Sequence, residues 1–295
     1  MNSYPNRKVF KRIKRNVVAW MYLLPFVGVY ALFMIYPLIK GIKLSFYHKT
    51  FFSGYKFTGL ENYKAVLSDP VFIQDIFNIL YFTVATVIIY TFLALIIAVL
   101  FNRRGIITYV MRSFVVAPLV LSVTVIGIIW QLLFTSGPGN TFVSDIAGHP
   151  IQVLNSPSLA MWLIIIATLW WTLGSNVIIF LAGLQGIPSE LYEAARIDGA
   201  SGIRMFFSIT IPLLKPIIIV VIILQTIASF RLFGQPYTIT GGGPFNKTST
   251  PLMYIYNYLT TNVGLASAAS VILFLMMLII SFIELFIISR REKGE

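Results

Sequence analysis

Apolar positions in this chain come in unbroken runs and do not alternate with polar ones. Six runs stand out, near Val17–Ile39, Phe77–Phe101, Arg112–Phe134, Ser158–Leu184, Ile211–Leu232 and Ala268–Ser289. Each is close to the roughly 20 residues with which an α-helix crosses a bilayer. Lipid offers no partners to backbone amides, so a spanning segment is a helix or part of a closed barrel. Barrel strands alternate lipid-facing and lumen-facing residues, which these runs do not. The pattern therefore predicts an all-α integral membrane protein with six transmembrane helices. Residues 17–289 form one membrane domain, preceded by a basic segment, 1–16, and followed by a short tail, 290–295. Pro25 and Pro37 are expected to kink or end the first run. That run is too long for the core of a secretory signal, and Tyr36-Pro37-Leu38 makes a poor cleavage site, so it reads as a retained span.

Composition agrees. The 295 residues are 58% hydrophobic and 11% charged, whereas soluble domains are about half apolar and a quarter charged. The net charge of +12 raises nucleic acid as a partner, but the cations sit at the chain ends and between apolar runs, not along one solvated face. Fourteen of them, including Arg7, Arg15, Arg103, Arg112, Arg196, Arg204 and Arg290, share one side of the six-span layout, against six lysines on the other. The more basic side stays cytoplasmic, which puts both termini inside the cell. With no cysteine there are no disulfides and no thiolate ligands. His48 and His149 stand alone in loops, and no nucleophile–base or metal-ligand grouping is visible.

The connection over about 186–212, between the fourth and fifth runs, reads as two short helices. Ser189 is a candidate cap for the first, with Glu190 and Glu193 at its positive end. Gly199 stops it with a left-handed backbone, Ser201 caps the second, and Pro212 interrupts that one. Ala194 and Ala195 offer a small-residue face, and Phe206 and Phe207 are apolar in a loop that faces water. Together they suggest a docking knob for a cytoplasmic protein.

The residues Glu193-Ala194-Ala195, Gly199, Ile209, Ile211 and Pro212 resemble the EAA signature of ABC importer permeases, with its spacing kept throughout and Ile211 standing for the family's Leu. Asp198-Gly199-Ala200 is similar to the sugar-importing branch. So are Phe57-Thr58-Gly59-Leu60-Glu61-Asn62-Tyr63 and Thr240-Gly241-Gly242-Gly243-Pro244, the latter looking like the outer loop of the first of two paired permeases. The resemblance covers residues 17–289 and implies a subunit of the maltose, glycerol-phosphate and multiple-sugar type in the bacterial cytoplasmic membrane. It implies that the loop is a coupling helix, with Glu193 anchoring its dock and Gly199 setting its turn. The implied partners are a similar second permease, two ATP-binding subunits that hold ATP and Mg, and an extracytoplasmic sugar-binding protein. This chain itself would surround itself with membrane lipid, carry no cofactor and catalyse nothing.

A sugar path needs hydrogen-bonding side chains and aromatic plates, and polar residues within spans usually face inward. Trp171 and Ser175, Thr172 and Asn176, and Gln225 and Ser229 are each four apart, so each pair shares a helix face. Ser122, Thr124, Trp130 and Gln131 are further candidates in the third run. The same residue types also serve helix packing, and Trp130 fits an interfacial belt. Lys215 and Arg231, at opposite ends of the fifth run, are placed to snorkel to the interfaces. Glu284, an acid within an apolar run, is either a proton-coupling group or, as preferred, a side chain near the cytoplasmic end within reach of water, Arg290 and Arg291. The first choice would suit the alternative of an ion-coupled carrier acting without an ATPase. Gly241–Thr248 imitates a phosphate-binding loop, but Asn246 replaces the glycine before Lys247 and no strand precedes it, so its glycines are expected to form a tight turn.

Overall fold

The computed structural model describes residues 20–48, 54–102, 105–135, 146, 148 and 152–292. Five helices are long and apolar enough to cross a membrane: α1 (Trp20–Ser45), α3 (Pro70–Phe101), α6 (Leu159–Gln185), α8 (Gly202–Phe230) and α11 (Val263–Glu292). Between α3 and α6 lie α4 (Ile106–Val120) and α5 (Val123–Phe134), a pair bent by 99° that counts as a sixth span if taken together. Shorter elements complete the chain. A two-stranded antiparallel ribbon pairs β1 (Tyr47–His48) with β2 (Lys56–Phe57). The short helices are α2 (Glu61–Ser68), α7 (Ser189–Ile197), α9 (Gly234–Ile239) and α10 (Pro251–Tyr258). The ribbon, α2 and α10 gather at one end of the bundle, and α7 sits at the other.

The third span is thus not the continuous helix that its hydropathy suggests. Ala117–Val120 tightens into a 3₁₀ turn around Pro118, Leu121 and Ser122 are extended, and the Ser122 hydroxyl caps α5 by accepting from Val125 N at 3.3 Å. Two other prolines are better tolerated than expected. Neither Pro37 nor Pro212 ends its helix, because a π turn comes just before each, at Ala31–Ile35 and Phe206–Thr210. In both cases the amide preceding the proline reaches five residues back, from Tyr36 to Ala31 and from Ile211 to Phe206. The widened turn takes up the ring's clash with the turn behind it.

Helix α3 is the centre of the bundle, with α6 and α8 packed along it. Lipid gives little hydrophobic drive between helices, so close packing and hydrogen bonds hold them together. Ala94 and Ala98, fully buried on α3, let Val177 and Phe180 of α6 and Leu214 and Val221 of α8 approach. Tyr90, also fully buried, donates its hydroxyl to the Ile165 carbonyl at 2.8 Å. Gly174 on α6 lies where a Cβ would come within 2.5 Å of the Val115 carbonyl, so only glycine admits the end of α4.

The far end is tied by side chains. Asn62 donates to the carbonyls of Ser45 and Tyr47 at 2.8 and 3.0 Å, which joins α2 to the end of α1. Tyr254 on α10 donates to Asp69 at 2.8 Å, and Asp69 in turn caps α3 by accepting from Val71 N. Burial, then the hydrogen bond to Asp69, pushes the Tyr254 phenol well above its ordinary pKa, so it remains a neutral donor. The loop at 240–250 forms the tight turn expected of its glycines: Gly241 and Gly242 have φ of 60° and 89°. Thr248 closes it by donating to the Gly243 carbonyl at 2.7 Å.

Candidate substrate cavity and coupling loop

Helix α8 stops at Phe230, where Ser229 meets Thr86 hydroxyl to hydroxyl at 2.9 Å. Thr86 lies halfway along α3, so α8 ends in the middle of the bundle and not at its edge. Its last carbonyls and the non-helical residues 231–233 lie at that depth, as does the break between α4 and α5. Irregular backbone inside a membrane is stable only when it is covered by protein or lines a wet cavity. The two breaks meet: Val123 of α5 packs against Gly234 of α9, and Thr238 of α9 packs against Gly127 of α5.

Between them lies a cavity of about 610 Å³. All six residues picked from their spacing line it: Trp171, Thr172, Ser175 and Asn176 from α6, and Gln225 and Ser229 from α8. Their polar atoms are partly committed already. Asn176 donates to the Gln225 side chain at 3.1 Å, and Thr172 and Ser175 bond to carbonyls of their own helix. Trp171 donates its indole N–H to the Leu121 carbonyl at 3.1 Å, satisfying a group that the α4/α5 break leaves open. Asn176, Gln225 and Ser229 are buried, while Trp171, Thr172 and Ser175 are half-exposed.

Other expectations need correcting. Arg231, expected at the edge of its run, follows the last turn of α8 at mid-bundle, where its charge suits the negative end of the helix, and it lines the cavity. Gln235 and Phe233, on or beside the short α9, line it too, and no spacing rule selected them. Of the third-run candidates, Ser122 is a helix cap, and Trp130 stacks on Phe134 and leans against Trp170. Glu284 accepts from Thr226 of α8 at 2.7 Å, next to Gln225, so it is engaged within the bundle. The Arg290 and Arg291 side chains expected near it lie outside the described residues, as do His149 and most of the terminal and loop cations.

At the opposite site, Ser189 is the first residue of α7 and not its cap; Pro188 takes that position without a side-chain bond. The exit of α7 is as expected. Gly199 has φ +74°, its N–H donates to Arg196 O, and the Ala200 N–H donates to Ala195 O at 2.9 Å. This paired closure of a helix end uses glycine because other residues resist the left-handed backbone. Ser201 caps the following turn by accepting from Arg204 N. Tyr192 on α7 meets Thr210 on α8 at 3.0 Å. Glu193, Ala194, Asp198 and Pro212 are exposed; Ala195 and Ile209 are half-buried. Ile197, Ile203 and Phe207 are 87%, 75% and 65% exposed, an uncovered apolar patch on the loop. Glu193 borders one hollow of about 400 Å³ with Tyr192 and Arg196.

Residues 91–293 match the family of binding-protein-dependent transport system inner membrane components. The chain belongs to that family. The sulfoquinovosyl glycerol transport permease SmoG of Agrobacterium fabrum is 34% identical over 283 residues, covering 94% of this chain and 92% of that protein. The trehalose/maltose permease MalF of Thermococcus litoralis is 35% identical over 272 residues, covering 91% and 92%. The lactose permease LacF of Rhizobium radiobacter is 34% identical over 286 residues, covering 94% and 96%. The fold is also that of a chain in the crystal structure of a bacterial ABC transporter that imports the acidic polysaccharide alginate. There the TM-score is 0.79 at 21% identity, over 96% of this chain and 99% of that one. A second structure of an alginate ABC transporter, in complex with a pentasaccharide-bound periplasmic protein, gives 0.80 at 22% identity. The permease family is one of transport subunits and not of catalysts. Among the described residues no three His, Asp or Glu side chains gather as metal ligands.

Proposed function

We propose that this permease carries a sugar or oligosaccharide across the cytoplasmic membrane by alternating access, driven by separate ATP-binding subunits. The observation that carries the reading is the continuity of α8. One unbroken helix runs from the α7 turn, with its uncovered apolar patch, to the polar cavity at mid-bundle. A push on one end of such a rod is felt at the other, which is what coupling a remote ATPase to a transport site requires. The α7 end is then cytoplasmic, in keeping with the excess of basic residues on that side. Ala194 and the bare Ile197, Ile203 and Phe207 fit the cleft of an ATPase subunit, with Glu193 and Asp198 beside them.

The cavity suits a polyol. Trp171 offers an aromatic plate, Thr172 and Ser175 offer hydroxyls, and Arg231 offers a charged donor beside the carbonyl end of α8. Asn176, Gln225 and Ser229 hold the wall in shape. A second permease of the same kind would close the open side, and an extracytoplasmic binding protein would deliver sugar at the end formed by α2 and α10. The sulfoquinovosyl glycerol, trehalose/maltose and lactose systems of the relatives support this substrate class. ATP and Mg would bind only to the partner subunits.

The test is ATP-dependent sugar uptake into vesicles that hold this chain with the products of neighbouring genes. Uptake that needs ATP and is lost in Glu193→Ala or Gly199→Pro, together with weaker retention of the ATPase, supports the proposal. Unchanged uptake in both variants, or uptake driven by an ion gradient without partners, overturns it.

A further inference from the structure

On another face of α3 and α6 there is a pocket that the transport reading does not use. At the end of the bundle opposite α7, about 360 Å³ lie between the first turns of the two helices and the 240–250 loop, lined by Gln74, Asn78, Tyr81, Ser158, Trp162 and Lys247. The lysine is held in place by a relay of amides. Lys247 Nζ donates to Gln74 Oε1 at 3.1 Å, Gln74 Nε2 donates to Asn78 Oδ1 at 2.9 Å, and Asn78 Nδ2 donates to the Asn246 and Ser249 carbonyls. Among the described residues no carboxylate lines the pocket, and the Lys247 charge is met there only by the Gln74 amide oxygen. Tyr81 and Trp162 meet edge to face at 6.2 Å and wall it on the side of the bundle's middle. From there an exposed apolar stripe, Val84 and Ile88 on α3 with Ile166 on α6, continues along the helices.

We propose that this is a binding site for one anionic phospholipid. Its phosphate would sit against Lys247 and Ser158, its glycerol between Tyr81 and Trp162, and an acyl chain along the stripe. Each part of the site answers one part of that molecule. A lysine at a membrane surface attracts an anionic headgroup, and Tyr and Trp belong at the level of the headgroups. A lipid-facing apolar stripe supplies the rest. A sugar would not need the stripe, and a protein partner would leave the positive charge without its counterpart. The proposal rests on the chain spanning a membrane and not on what it transports.

Trp162 serves as the reporter. The assembled transporter is reconstituted into nanodiscs with brominated phosphatidylglycerol or brominated phosphatidylcholine, which quench tryptophan on contact. The Trp162 contribution is the difference between the native protein and Trp162→Phe. Phosphatidylglycerol is expected to be preferred at Trp162 by about fivefold, the effect of roughly one lysine near an anionic headgroup. Lys247→Gln should abolish that preference while uptake assays on the same discs report separately on transport. Equal quenching by the two lipids, a preference that survives in Lys247→Gln, or no quenching because protein covers Trp162 would each overturn the proposal. So would displacement of the brominated lipid by free glycerol phosphate, which would make the site one for a soluble anion.

Discussion

The mid-bundle cavity and the α7 turn handle polar and apolar groups in opposite ways. In the cavity the polar atoms of the wall are paired with one another or with backbone, as in Asn176–Gln225, Ser229–Thr86 and Trp171–Leu121, and apolar side chains such as Val123, Leu224 and Phe233 line it between them. At the α7 turn the backbone is closed carefully around Gly199, yet Ile197, Ile203 and Phe207 are left bare. The first arrangement favours holding a small hydrated molecule, because an unpaired polar wall in a low-dielectric bundle would be costly. The second favours a protein partner, because exposed apolar area gains only when another surface covers it. Helix α8 belongs to both regions, which is why changes at either end are expected to alter transport in different ways.

Substitutions in both regions sharpen this contrast, taken from the largest expected effect to the smallest. Gly199→Pro cannot adopt the φ of +74° at all, so ATP-driven uptake should fall to background while the purified chain still folds. Gly199→Ala, which can adopt it at a cost of about 1–2 kcal/mol, should retain roughly a tenth of the activity. Asn176→Leu leaves the buried Gln225 amide without its donor, and the complex should lose about 1–3 kcal/mol of stability, read as a lower melting temperature. Changing both residues to Leu should cost less than the two single changes summed, because no orphan remains; full additivity would mean that the pair does not interact.

Arg231→Gln removes the cavity's charged donor. The half-saturating sugar concentration should rise about tenfold, in line with about 1.5 kcal/mol for a charged hydrogen bond, without loss of the ATPase subunit on purification. A loss of that subunit would mean that Arg231 acts on the far end of α8 and not on substrate. The smallest effect is expected from Tyr192→Phe, which loses only the bond to Thr210, worth about 1 kcal/mol. Retention of the ATPase should drop a few-fold with sugar affinity unchanged.

Much of this molecule follows from local pattern alone. Continuous apolar runs dictated helices because lipid leaves the backbone no other partner. The spacing of Glu193, Gly199 and Pro212 located the turn, and Gly199 adopts the left-handed backbone read from its position. Residues four apart on α6 and α8 shared a face, and all six of those chosen line one cavity. Tertiary structure decided the rest. Hydropathy does not reveal the break at Leu121, because an extended leucine in a bundle is as apolar as a helical one; what permits it is the Trp171 N–H that takes up its carbonyl. Nor does sequence give the depth at which α8 ends. A cation after an apolar run reads as an interface residue, but the Thr86–Ser229 contact sets Arg231 at mid-bundle. Distance to the chain end places Glu284 near water, yet its partner is Thr226, 58 residues earlier. Periodicity reports which face of a helix a residue occupies, whereas depth and partners depend on how whole helices slide and cross, and that is settled by packing between segments far apart in the chain.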